Sequence, residues 1–359
     1  MSPILFLHES TFGGMGRAAD EVRAWAASPG VTSTELGLTT PARRADQLGH
    51  LSARSLWYSL TLLLALIRAL AKQPAPIYLP ISQWGLPLAR DIALITVARI
   101  LRSPDIVVHL HGSQLPQRIR ESRLLRWLLS RLTWLVLSPA VEEELIASGL
   151  KMRAVHVIRN PAPARLSVRR SALSPVLRVG YLGAICRQKG ADLVAGLMAL
   201  PADSPTSIEV VIAGPRLDAS IDLEQARYLG VLDREDLAKS FWPRIEVLML
   251  PARWLEGLPF VVLEALQAGA VVCATPSPGM VDLFAAGAII ALDGTSSSVE
   301  QAVTNISRVG LERIRMQQQA AWLSVMTLYD AAVTRAALGA ALTEHLMGEV
   351  PAQPGSSPS

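Results

Sequence analysis

The segment Glu256-Gly-Leu-Pro-Phe-Val-Val-Leu-Glu264 carries the residues best suited to chemistry. The apolar run Val247–Leu250 before it reads as a strand, residues 251–257 as a loop at its carboxyl end, and Pro259 suits the first turn of a following helix. Glu256 then precedes the helix and Glu264 lies on it, so both carboxylates can face one ligand and accept hydrogen bonds from sugar hydroxyls. The same spacing also fits an acid favoured by a helix N-terminus and a solvated helical glutamate.

A second group follows the first apolar run, Ile4–Leu7. Gly13, Gly14 and Gly16 stand between that strand and a helix expected from about Arg17 to Ala27. Glycines let backbone N–H groups approach a phosphate at a helix N-terminus, and Arg17 adds charge there. A plain tight turn is the simpler alternative, and the dinucleotide spacing G-x-G-x-x-G is absent. His111 ends a strand and precedes Gly112, which places it at the edge of a cleft. His109, two residues earlier, points to the same face. An H-x-H metal pair is conceivable there, but no third ligand is evident.

These residues need a frame. Strands are expected at 4–7, 76–79, 106–110, 134–137 and 155–158, then at 178–182, 208–213, 228–230, 247–250, 271–274 and 288–291, with helix-length amphipathic runs between them. Strands separated by helices imply right-handed βαβ units and parallel sheets, whose ligands bind at the carboxyl ends of the strands. At roughly 150 residues per domain, 359 residues suit two domains. The basic stretch 165–175 reads as their linker. The expected division is a first Rossmann-like domain over 1–168, a second over 175–325, a C-terminal helix over 326–348 that could pack back on the first, and a Pro/Gly/Ser-rich disordered tail over 349–359.

Composition excludes several classes. With 50% hydrophobic and 18% charged residues the chain is not globally disordered. A net charge of +4 permits an anionic substrate or surface without calling for nucleic acid. Cys186 and Cys273 lack disulfide-framework or zinc spacing, which suits a reducing, cytoplasmic compartment. The N-terminus lacks the pattern of a signal peptide. The most apolar stretch, 56–70, is shorter than the roughly 20 residues that cross a bilayer.

The Glu256–Glu264 segment resembles the E-x7-E signature of retaining, nucleotide-sugar-dependent glycosyltransferases of family 4, the group 1 enzymes of GT-B fold. Further pieces resemble that family in the same order. They are the glycines at 13, 14 and 16, His111-Gly112, Ser138-Pro-Ala-Val-Glu142, Ile158-Arg-Asn-Pro161, Val179-Gly-Tyr-Leu-Gly183, Lys189-Gly190, Ile212-Ala-Gly214 and Leu250-Pro251. The resemblance spans most of residues 4 to 285 and implies an α/β, GT-B architecture: two Rossmann-like doubly wound parallel-sheet domains facing across a cleft. It implies transfer of a sugar from a nucleotide-diphosphate sugar to a hydroxyl of a saccharide or lipid-linked saccharide, with retention, in cell-surface polysaccharide or glycolipid synthesis. Glu264 would bind the donor ribose, Glu256 the transferred sugar, Arg187 and Lys189 the diphosphate, and His111 the donor sugar. A diphosphate gains charge as the glycosidic bond breaks, so cations held there act chiefly in the transition state. Gly183 is followed by Ala184 where many relatives carry arginine, so Arg187 would substitute from three residues later. No D-x-D sequence occurs, and no tightly bound metal or other cofactor is expected.

Two rivals remain open at this point. One is a sugar-nucleotide epimerase or hydrolase on the same fold. The other is a catalytically degenerate binding subunit of a polysaccharide assembly complex. Finally, residues 118–132 read as one amphipathic helix, with leucines on one arc and Arg120, Arg123, Arg126 and Trp127 on the other. That face suits either solvent or an anionic membrane surface, and implies a protein that is cytoplasmic or peripheral on the membrane's cytoplasmic face.

Overall fold

A computed structural model describes residues 3–8, 13–37, 53–164, 176–200 and 207–348. The expected linker and tail lie outside the described residues. The described residues form two compact units: the first comprises residues 3–8, 13–37, 53–160 and 332–348, and the second residues 161–164, 176–200 and 207–331.

The first unit holds a six-stranded, all-parallel sheet of β1 (Ile4–His8), β2 (Ser33–Gly37), β3 (Ile77–Pro80), β4 (Ile106–Leu110), β5 (Thr133–Val136) and β6 (Ala154–Val157), in the order β2-β1-β3-β4-β5-β6. Alternation along the strands divides the core into two layers. Leu5, Leu7, Ile77, Leu79, Val108, Leu110, Trp134 and Val136 meet Leu62, Leu66 and Leu70 of the helix Ala53–Lys72 on one face. Ile4, Phe6, Tyr78, Val107 and Leu135 meet Val22 and the C-terminal Leu338, Leu342 and Leu346 on the other. Those three leucines recur at i, i+4 and i+8, one stripe of a helical surface.

The C-terminal segment is broken where one helix is expected over 326–348. A 3-10 turn (Met326–Tyr329) precedes the helix Ala331–Leu342, which ends in a π-helical turn, Thr343–Met347. The edge strand β2 has no counterpart in the sequence reading. Its residues, Ser-Thr-Glu-Leu-Gly, are mostly exposed and polar, and hydrophobic periodicity cannot reveal such a strand.

The second unit holds β7 (Val176–Leu182), β8 (Ser207–Ala213), β9 (Arg227–Tyr228), β10 (Val247–Leu250), β11 (Val271–Ala274) and β12 (Ile290–Ala291), again all parallel, in the order β12-β11-β10-β7-β8-β9. Both faces of its central strands are buried, which is why Val247–Leu250 and Val271–Ala274 read as continuous apolar runs. The sheet order runs outward from β7 in both directions. The crevice between the carboxyl ends of β7 and β10 is therefore the topological switch point, where ligands of open parallel sheets bind. Both cysteines are free.

Candidate functional site

At that switch point the second unit has an open depression of about 400 Å³. It is lined by Tyr181 and Leu182 from the end of β7, Lys189 from the turn after it, Leu250, Ala252 and Glu256 from the end of β10, and Thr275 just past β11. Sequence local to each loop explains its shape. After β7 the chain turns through Gly183 into a short 3-10 segment, Arg187–Lys189, that ends at Gly190. Gly190 has φ 74°, and a Cβ there would stand 2.1 Å from the carbonyl oxygen of Pro251. Only glycine allows this approach of the β7 loop to the β10 loop. The loops are then tied twice more. Arg253 N–H donates to the Gln188 carbonyl at 2.9 Å. The Arg253 guanidinium also grips Asp192 through two hydrogen bonds of 2.8 and 2.9 Å.

Lys189 Nζ and Glu256 Oε1 meet at 3.2 Å across these loops. Trp254 Nε1 donates to the same Glu256 oxygen at 2.5 Å, and Lys189 Nζ lies 5.7 Å from the centre of the Trp254 ring. Arg187 is not part of this pair. It is largely exposed, with carboxylate oxygens of Asp192 and Asp218 each 3.7 Å away. Hydrogen bonds from Ser220 are the main cause of a lowered pKa at Asp218, with Arg187 and Arg216 adding to it.

Glu264 sits on the helix Phe260–Gln267 as expected, but its side chain is only 4% exposed and does not line the depression. Tyr181 donates to the Ala184 carbonyl at 2.7 Å, and burial raises its pKa well above the ordinary tyrosine value. Thr275 Oγ1 is buried and makes no hydrogen bond to any described residue, leaving a hydroxyl in the depression's wall for a ligand. Trp254 and Thr275 escaped the sequence reading. The only signal for either was a position at the end of a predicted strand.

The remaining candidates lie in the first unit. Gly13 and Gly14 are the opening turn of the helix Gly13–Ala26, not a loop before it. The first-turn N–H groups of a helix have no intrahelical acceptors, so glycine is tolerated there at little cost. Gly16 is buried within this helix and Arg17 half-buried.

His111 follows β4 and stacks on His109, with ring centroids 3.9 Å apart. His109 Nδ1 is 2.8 Å from the Tyr78 hydroxyl. Burial lowers the His111 pKa to about 4 and holds that of His109 well below the ordinary value, with His111 lowering the latter further. Neither imidazole is charged at neutral pH. The H-x-H pair gains no third ligand among the described residues.

The amphipathic helix expected over 118–132 is in fact two, Leu115–Glu121 and Arg123–Leu128. Ser122 separates them with extended backbone, φ −123° and ψ 112°, and its side chain accepts from Leu125 N–H, capping the second. The break changes both arcs. Trp127 and Leu124 are exposed, at 71% and 63%. Arg126 turns back, and its guanidinium donates to the carbonyls of Ile119 and Arg120 at the end of the first helix. Arg120 and Arg123 remain exposed. Among the described residues no helix is long and apolar enough to cross a membrane.

Comparison with known proteins agrees with this geometry. Residues 176–309 match the model of the family described as glycosyl transferases group 1, a stretch that contains the whole depression. Solved structures share the fold over nearly the entire chain. Sucrose-phosphate synthase from Thermosynechococcus elongatus is 14% identical, covers 97% of this chain and 100% of its own, and has a TM-score of 0.71. Anabaena HepE, solved with UDP and glucose, is 15% identical, covers 96% and 100%, and has a TM-score of 0.68. A trehalose-6-phosphate synthase, studied for glycosyl transfer with retention, is 12% identical, covers 98% and 100%, and has a TM-score of 0.68. No curated protein matches in a comparison of sequences. The chain thus shares the two-unit α/β fold of these GT-B glycosyltransferase structures, and residues 176–309 of its second unit match the group 1 model.

Proposed function

We propose that this protein transfers a glycosyl group from a nucleotide-diphosphate sugar to a hydroxyl acceptor, with retention of anomeric configuration. The observation that carries the proposal is the Lys189–Glu256 pair at the switch point of the second sheet, inside the group 1 match. Lys189 is the cation for the donor diphosphate. As the bond from the anomeric carbon to the diphosphate oxygen breaks, its electron pair passes to that oxygen, and Lys189 stabilises the growing charge. The acceptor hydroxyl oxygen forms the new bond to the anomeric carbon, and its proton passes to the departing diphosphate oxygen. Glu256, released from Lys189 by the diphosphate, accepts hydrogen bonds from the transferred sugar. Arg187, on an exposed and adaptable side chain, supplements Lys189. Glu264 anchors the ribose once the donor seats against its helix.

The first unit offers a separate set of groups to substrates: the N–H groups of Gly13 and Gly14, Arg17, and the neutral imidazole of His111. Its role in this proposal is to take the saccharide or lipid-linked acceptor. UDP sugars are the first donors to try, because HepE was solved with UDP-glucose. The wider role is synthesis of a cell-surface polysaccharide or glycolipid. The location is cytoplasmic, peripheral on the membrane through Arg120, Arg123 and Trp127. Exposed Leu56, Trp57, Leu60 and Leu64 on the helix Ala53–Lys72 add a further apolar stripe to the same unit.

Nucleotide sugars screened by thermal shift test the donor site, since a true donor raises the melting temperature by mass action. The stabilising donor is then incubated with and without candidate acceptors, and the anomeric configuration of the product is read by NMR. Transfer that persists in EDTA is expected, with protein cations serving the diphosphate. Release of free sugar alone, or epimerised donor, would replace this reading with one of its rivals. Donor binding without turnover across acceptors would favour a binding subunit.

A further inference from the structure

A second cluster of ligating side chains lies in the first unit, and the proposed transfer makes no use of it. His156 is on the edge strand β6, and Glu344 and His345 are on the terminal turn Thr343–Met347. Among the described residues these three form the only group of histidine, cysteine or carboxylate side chains placed to share a metal ion, with one ligand atom from each lying within 4.8 Å of the others. His156 Nε2 and His345 Nε2 are 2.9 Å apart although 189 residues separate them in sequence. Glu344 Oε1 is 3.7 Å from His345 Nε2.

The surroundings favour one tautomer of His345. Its other ring nitrogen, Nδ1, faces Asp105 Oδ2 at 3.4 Å. Asp105 is 7% exposed, its Oδ1 is engaged by Ile106 N–H at 2.8 Å, and its Oδ2 is buried without a hydrogen-bond partner. A proton on His345 Nδ1 would serve that oxygen, whose other charged neighbour is the Arg153 guanidinium at 3.5 Å, and leave Nε2 with its lone pair toward His156. The arrangement is a carboxylate orienting a histidine whose far nitrogen is presented as a ligand. Nitrogen ligands at 2.0–2.1 Å from a tetrahedral zinc lie about 3.3 Å apart, so the two imidazoles need to part by only about 0.4 Å.

We infer that His156, His345 and Glu344 bind a divalent transition-metal ion, zinc by ligand type, with Asp105 as the outer partner of His345. Two neutral imidazoles, one carboxylate and a water complete a tetrahedral set. The ion fastens the turn Thr343–Met347 to the edge of the first sheet. Its role is structural, and it does not depend on the glycosyl transfer proposed above.

The test uses the full chain, free of any affinity tag, titrated calorimetrically with Zn²⁺. Co²⁺ serves as a second probe whose visible d–d bands report tetrahedral nitrogen and oxygen ligation. One equivalent of Zn²⁺ is expected, with a rise in melting temperature. His156→Gln and His345→Gln should each weaken binding at least a hundredfold, and Asp105→Asn ten- to a hundredfold. Glu344→Gln alters an exposed side chain, so it reports on binding even if the histidine variants fold poorly. It should weaken binding about tenfold and change the Co²⁺ spectrum. Absence of stoichiometric binding to the unaltered chain overturns the inference. So does affinity equal to that of the unaltered chain in the Glu344 and histidine variants. Transfer rates measured in EDTA well below the melting temperature keep this ion apart from the chemistry.

Discussion

Lys189 and Glu256 pair at 3.2 Å, although each comes from a loop at the end of a different strand. Their side chains are 32% and 23% exposed, so water screens the attraction and the pair can exchange partners at small cost. The backbone is less free. The Gly190–Pro251 approach and the Arg253 bonds to Gln188 and Asp192 hold both loops before any ligand arrives. Lys189 is therefore presented to an anion by a fixed frame, with Glu256 holding it in place. In the proposed reaction a diphosphate that takes Lys189 would release that ion pair and leave Glu256, still bonded by Trp254 Nε1, to accept from the sugar.

The frame predicts a sharp cost for a small change. Gly190→Ala must place a Cβ against the Pro251 carbonyl while keeping φ at 74°. It should destabilise the protein by roughly 2–4 kcal/mol, through left-handed strain plus displacement of the β10 loop. Gly287→Ala is the control. Gly287 has φ 80°, but a Cβ there meets nothing within 4 Å, so only the strain of about 1–2 kcal/mol applies. Urea unfolding of the two variants measures the difference. Equal losses would mean that the contact with Pro251 is not tight.

Histidine burial gives a pH dependence with a definite sign. An unfolded histidine takes up its proton near 6.5. Folded His111 does so only at about 4, and His109 well below the ordinary value. Between about pH 6.5 and 4 the unfolded chain binds more protons, so stability falls as the pH is lowered through that window. Each ring contributes up to about 1.4 kcal/mol per pH unit. His111→Gln should flatten the slope in urea unfolding followed against pH. NMR of the His111 ring should show no titration between pH 6 and 8, and a midpoint near 6.5 would remove the basis for a neutral imidazole in catalysis.

Much of this was legible in sequence, for a physical reason. Buried parallel strands such as Val247–Leu250 and Val271–Ala274 are apolar on both faces, and their ends mark where ligands bind. The same logic placed Glu256 in the loop after one strand; Lys189 came from the family resemblance, and only the sheet order makes their strands neighbours. That logic did not show that the Glu264 side chain is buried outside the lining of the depression, because a carboxylate on an apolar helix reads the same in either setting. Nor could the wheel drawn over 118–132 find the break at Ser122, since a serine is compatible with both a helix interior and a cap. His156 and His345 were invisible as a pair. Their meeting depends on the return of the C-terminal helix to the first sheet.

Membrane attachment is expected to follow the broken helix, not the wheel. Vesicles containing anionic lipid should sediment the protein, and Trp127→Ala with Arg123→Glu should reduce the bound fraction several-fold. Salt should weaken binding of the unaltered chain, since exposed charges are screened beyond about 8 Å at physiological ionic strength. Arg126→Ala is the informative contrast. Its guanidinium serves the Ile119 and Arg120 carbonyls, so the variant should lower thermal stability more than vesicle binding. Unchanged sedimentation of the Trp127/Arg123 variant would return this face to solvent.

The division of labour within the donor site is the most direct test of the proposed chemistry. In the proposed reaction Lys189 would face a diphosphate whose charge grows as the sugar departs, so Lys189→Ala should act on kcat. Loss of one preorganised charge partner is worth about a hundred- to a thousandfold. In the proposed reaction Glu264 would hold ribose hydroxyls that change little during transfer, so Glu264→Gln should act on the donor KM with kcat nearly unchanged. Losing a charge-assisted hydrogen bond costs about 1.5–3 kcal/mol, or roughly ten- to a hundredfold in affinity. Glutamine fills the same volume, which matters for a side chain only 4% exposed, and circular dichroism can confirm that the helix Phe260–Gln267 survives. Steady-state kinetics at saturating acceptor separate the two effects. If Lys189→Ala changes only KM, the lysine binds the donor without favouring the transition state. If Glu264→Gln leaves the donor KM untouched, the buried carboxylate belongs to the core and the ribose is held elsewhere.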